Sequence, residues 1–245
     1  MKRLSSVRLW PVAIAAILLL VPQTVMAQSL NLDLGDGPTS TGRLIQLFLL
    51  FTVLSLAPSI LVMVTCFTRI VVVLSFLRTA LGTQQTPPNQ VLMSLALFLT
   101  LFIMMPTLQV SWDQGIQPYI AGQIDENQAF ERSSAPLRDF MLKHVRPTDL
   151  QLFADAAKVD TATAEVPLRV LIPAFMISEL RRAFEIGFLV FIPFLVIDMV
   201  VASVLMSMGM MMLPPVMIAM PFKIIFFVLV DGWFLIVGSL IQSFG

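Results

Sequence analysis

The chain has 245 residues, of which 58% are hydrophobic and only 12% are charged, and its mean hydropathy is +0.91. A soluble domain of this size carries more charge on its surface, so the composition points to helices buried in a membrane or in an assembly. Fifteen basic residues balance fifteen acidic ones, which gives no basic face for nucleic acid.

The chain opens with Lys2, Arg3 and Arg8, then the apolar stretch PVAIAAILLLV at 11–21, then Val25-Met26-Ala27. A basic start, a short apolar core and a small-residue exit make a cleavable export signal over residues 1–27, cut between Ala27 and Gln28. The mature chain would then begin outside the cytoplasm. Residues 28–43 are polar and rich in Gly, Ser and Thr, and read as an external tail.

Residues 44–110 read as a first apolar hairpin. Its arms are Leu44–Phe67, interrupted by Pro58, and Val91–Val110, with Pro106 near the end. Arg69 and Arg78 follow the first arm and mark the inner side. GTQQTPPN at 82–89 is the turn, with Asn89 as the cap of the returning helix.

Residues 111–166 hold most of the charge, with His144 and Tyr119, the only histidine and tyrosine. Two short amphipathic helices are expected in this external region. Ser134 would cap the first, with Leu137, Phe140, Met141 and Val145 on one face. Thr148 and Gln151 have capping-box spacing for the second, in which Leu150, Phe153, Ala154 and Ala157 repeat at helical spacing. Residues 167–245 begin with an amphipathic helix to Glu185 and continue as a second hairpin. Its arms are Ile186–Met206 and Val216–Gln242, joined by a Met-rich turn.

Cys66 is the only cysteine, so no internal disulfide exists, and a zinc site or a Ser-His-Asp triad would have to be built around His144 alone. Three other constellations stand out. Ionisable residues in apolar stretches need partners, because an unpaired charge in hydrocarbon costs several kcal/mol. Glu179 and Arg182 share a helix face, as do Arg181 and Glu185, while Asp198 and Lys223 face each other across the turn and can pair within or between chains. Such residues carry protons in some proteins; ion pairs that set helix register are the favoured reading here. The methionines Met206, Met208, Met210, Met211 and Met212 are either a soft seal or ordinary apolar filler. Prolines 58, 106, 173, 193 and 221 break the apolar stretches and suggest helices enclosed by protein rather than lipid.

Residues 68–106, TRIVVVLSFLRTALGTQQTPPNQVLMSLALFLTLFIMMP, and 173–188, PAFMISELRRAFEIGF, resemble the FliP family of flagellar type III export-gate proteins. Injectisome relatives carry similar blocks; the export signal and the GTQQTPPNQ turn favour the flagellar branch. The resemblance implies an all-α membrane protein of two hairpins plus a small periplasmic helical region, at the inner membrane in the flagellar basal body. In that family several copies, five by expectation, assemble with FliR and FliQ into a helical cone, with FlhB and FlhA as further partners. The cone surrounds the path of unfolded flagellar subunits. By the same resemblance Met208, Met210, Met211 and Met212 become a pore gasket, and Glu179, Asp198 and Lys223 become contacts that hold neighbouring subunits. A non-enzymatic channel subunit without cofactors is expected; a proton-conducting component and a basal-body scaffold are the competing classes.

Overall fold

The computed structural model describes residues 39–83, 85–159, 166–210 and 213–245. The expected signal and its cleavage site at Ala27 and Gln28 lie outside the described residues, as do Met211 and Met212. All regular structure among the described residues is helical. In chain order the helices are α1 (Thr39–Val64), α2 (Phe67–Ala80), α3 (Asn89–Ser111), a π-helical turn (Trp112–Ile116), α4 (Gln117–Ile120), α5 (Glu126–His144), α6 (Pro147–Ala157), α7 (Leu168–Ser207), α8 (Pro215–Leu229) and α9 (Gly232–Gln242). The chain divides into two compact units, Met1–Phe51 and Thr52–Gly245; the first holds the opening turns of α1, and the second holds the rest of the fold.

Three stretches are long and apolar enough to cross a membrane: Leu47–Val64, Asn89–Ile120 and Leu168–Ser207. A fourth is α8 with α9, which together pass the same test but bend by 64° where they meet. Asp231 causes the break: it sits at φ 50° in the left-handed region and interrupts the helical path.

The first apolar segment does not run through as one helix. It ends at Val64, and α2 begins at Phe67 after a two-residue break. The core of the second unit is α2 laid chiefly along α7. Ile70, Val73, Leu74 and Leu77 recur at three- and four-residue spacing, so they fall on one face of α2, and all are buried. Each such side chain contributes about 1.5–3 kcal/mol by leaving water. Gly187 of α7 permits the close approach: a Cβ there would lie 2.5 Å from the ring of Phe76.

The turn after α2 uses Gly82 at φ 77°. Asn89 does not cap α3. Pro88 occupies the cap position, and the Asn89 side-chain oxygen instead accepts from Arg78 Nη1. Here the missing amide of proline suits a helix entry, which frees the Asn side chain to tie the turn to α2.

The two short helices expected within residues 111–166 are present, but their starts differ from expectation. Asp125 caps α5 by accepting from the Gln128 amide at 2.8 Å. Ser134 lies mid-helix, its hydroxyl donating to the Glu131 carbonyl at 3.2 Å. In α6 Arg146 takes the cap position and Pro147 the first helical one, so Thr148, the expected cap, falls two residues past the cap. The faces agree with the spacing except at Ala157, which is exposed at the end of α6. Phe140, Met141 and Val145 pack with Leu150, Phe153 and Ala154 against Val170, Leu171 and Phe175 of α7. Leu137 packs instead with the cluster around α2 and α3.

Candidate functional site

Arg69 and Glu179 are both fully buried, with 0% of either residue exposed. The guanidinium grips the carboxylate twice, Nε to Oε2 at 2.8 Å and Nη2 to Oε1 at 2.5 Å. Arg69 Nη1 also donates to the carbonyl and hydroxyl of Ser243, at 3.1 and 3.0 Å. The flat cation then lies 3.6 Å from the centre of the Phe244 ring. One side chain therefore ties α2 to α7 and to the segment after α9. Planarity and five fixed donors suit Arg to this task and not Lys. Both Glu179 oxygens are engaged by Arg69, so the helix-face pairing with Arg182 that spacing suggests does not form. The partner pair does: Arg181 Nε donates to Glu185 Oε1 at 2.9 Å, in the open.

Asp198 and Lys223 meet within one chain, Nζ donating to Oδ2 at 2.6 Å. Lys223 also donates to the Ala80 carbonyl at 3.0 Å. That carbonyl belongs to the last residue of α2, which has no partner inside its own helix. A buried ammonium at this place satisfies the carbonyl and opposes the negative end of the helix dipole. Asp198 Oδ1 is buried without a hydrogen-bond partner among the described residues. Nothing in the sequence separates Arg69, which binds three segments, from Arg78, which stays near the surface.

His144 packs between the rings of Phe140 and Phe244, with centroids 4.5 and 5.3 Å away. Its Nδ1 donates to the Phe140 carbonyl at 2.8 Å. Burial pushes its pKa below the ordinary value, and the nearby cations Arg69, Lys143 and Arg182 add to that against the pull of the carbonyl. Among the described residues no three His, Cys, Asp or Glu side chains gather to hold a metal.

The methionine turn starts from a defined helix end. Met210 N–H donates to the Leu205 carbonyl at 3.0 Å and Gly209 N–H to the Met206 carbonyl at 3.1 Å. With Gly209 at φ 73°, this is a Schellman ending. Met206 and Met208 are 62% exposed and Met210 45%, so the three form an unburied apolar group at the tip of α7.

The FliP family model matches residues 50–240, nearly the whole of the described chain. The chain belongs to the FliP family. It is 61% identical over 228 residues to the flagellar biosynthetic protein FliP of Caulobacter vibrioides, covering 92% of this chain and 86% of that protein. The protein of the same name from Bacillus subtilis is 55% identical over 221 residues, 89% of this chain and 100% of its own length. That of Aquifex aeolicus is 50% identical over 232 residues, 93% and 97%. The FliP match takes in Arg69, Glu179, Asp198, Lys223 and the methionine turn, all of which fall between its bounds.

Proposed function

We propose that this FliP-family chain is a wall and gate subunit of the flagellar type III protein export channel, through which unfolded flagellar subunits pass. The observation that carries the reading is the exposed methionine group at the end of α7. A long apolar helix that ends in unbranched, polarizable side chains presents a surface that closes around a varied chain without gripping it. Met208 and Met210 are the described members of this gasket, and Met211 and Met212 follow in sequence.

The subunit acts in a homo-oligomer of about five copies, arranged as a helical cone with FliR and FliQ. FlhB and FlhA act beside it at the inner membrane, and part of the chain is exposed to the periplasm. The export signal over residues 1–27 belongs to the same reading, and an isolated protein that begins at Met1 would remove it. Glu179, Asp198 and Lys223 fix the helix register that neighbouring copies dock against. The chain performs no covalent chemistry, so the energy for transport comes from its partners.

Photo-crosslinking from position 210 during arrested export tests the channel. A crosslink to cargo supports it. Crosslinks only to neighbouring subunits, with cargo trapped in the channel, turn the reading to a scaffold. The unpartnered Asp198 oxygen favours a second reading, a proton-carrying component. Under that reading Asp198→Asn abolishes proton flux while leaving assembly intact.

A further inference from the structure

We infer that Gly209 is the positioning residue of the methionine turn: its left-handed backbone ends α7 at a fixed residue and sets where Met210 leaves the helix. The functional half of this inference rests on the seal proposed for the turn; the geometric half does not.

The helix before Gly209 runs 40 residues, Leu168–Ser207, and continues through Pro173 and Pro193, which therefore do not break it as their positions suggested. Nothing in the side chains just before the turn stops it. Val204, Leu205, Met206 and Ser207 are all compatible with a continuing helix, and so are the methionines that follow. The chain must nevertheless reverse quickly. Pro215 opens α8, which runs back along α7: Val204, Val200 and Val196 line one side of a groove, and Ile218, Phe222 and Phe226 line the other. The reversal begins at Gly209, whose φ of 73° swings the chain off the helix axis and brings the Met210 amide onto the Leu205 carbonyl. A helix continued by one residue would rotate each following side chain by about 100° around the axis and carry Met210 away from its present place.

The space around Gly209 makes the inference sharp. A Cβ built there meets no atom within 4 Å. At the Cβ itself, a substitution is therefore opposed by backbone conformation and not by collision with the described residues. The fold also accepts left-handed residues other than glycine, at Lys158 and Asp231. What position 209 requires is the left-handed state, which Asn adopts readily, Ala reluctantly and a β-branched residue least of all.

The test uses the full chain, expressed with its export partners, carrying Gly209→Asn, Gly209→Ala or Gly209→Val, beside the double variant Met208→Ala, Met210→Ala. Two readouts are taken at matched protein levels: hydrogen exchange at the Met210 amide in purified protein, and passive entry of a small ion into cells. The expected exchange rate is near wild type for Asn, about tenfold faster for Ala and faster again for Val, with ion entry in the same order. Unchanged exchange in Gly209→Val overturns the geometric half. An Asn variant that leaks as much as Val shows that bulk rather than conformation matters, and also overturns it. If the methionine double variant leaks and Gly209→Val does not, the positioning role falls while the seal stands. If the double variant does not leak, the seal itself falls, and the exchange order alone judges the turn.

Discussion

Arg69 shows how far a single residue can depart from its appearance in sequence. Set beside an apolar segment, it looks like a charge left at a membrane face. In the fold it is enclosed, with Glu179 and Ser243 as its acceptors. A buried pair is held by its second member: removing one leaves the other charged, desolvated and alone. Arg69→Ala should therefore cost about 3–5 kcal/mol, seen as a lower unfolding temperature in detergent. The double variant Arg69→Met, Glu179→Leu should regain a large part of that loss. A double variant no better than the single would show that the pair itself is not what holds these helices. His144 offers a second check. Its folded pKa lies below the unfolded value of 6.5. Above pH 6.5 both states are neutral there and stability is full; as pH falls from 6.5 through the folded pKa, the unfolded state takes up the proton first and stability declines. His144→Phe should flatten that part of the stability profile, measured by thermal unfolding between pH 8 and 5.

At the scale of elements, the apolar segments and the two amphipathic faces were legible because length and periodicity depend only on local spacing. The helix starts were not. Ser134 and Thr148 have the chemistry of caps, yet Asp125 and Arg146 take those places, since a cap depends on where the chain turns and many short polar residues qualify. The break at residues 65–66 was hidden in an uncharged, mostly apolar run, in which Thr65 is only one of several hydroxyl residues. Asp198 and Lys223 were legible as a pair because the turn between them places them opposite each other. The Arg69–Glu179 pair, 110 residues apart, had no such local rule. Close approaches were equally invisible. Gly115 in the π-helical turn sits where a Cβ would lie 2.7 Å from the Ser133 amide nitrogen and 2.8 Å from its Cα. Because backbone rather than a flexible side chain is in the way, Gly115→Ala should destabilise the docking of α5 by about 1–3 kcal/mol. Faster hydrogen exchange in α5 than in α2 would report it; equal exchange would show that the turn yields freely.

At the scale of the molecule, α7 is about 60 Å long at 1.5 Å per residue, twice the roughly 30 Å of hydrocarbon in a bilayer. Its second half stays open in the single chain, with Phe188, Leu189, Leu195, Val196, Met199 and Val200 all exposed. The first half packs on helices of its own chain; under the assembly proposed above, neighbouring copies dock on the open second half. Phe188→Ser with Leu189→Ser should lower the yield of the oligomer on native gels while the helical circular dichroism of the chain is kept. Undiminished oligomer would place the subunit contacts elsewhere.

The Arg69 junction also has a history in time. Ser243 lies 174 residues after Arg69. At ribosomal rates of 5–20 residues per second, the guanidinium waits about 5–20 s for Glu179 and about 10–35 s for Ser243. During that interval α2 carries a cation whose permanent acceptors have not yet been made. A ribosome that stalls between Glu179 and Ser243 leaves the guanidinium with its carboxylate made but without the Ser243 carbonyl and hydroxyl.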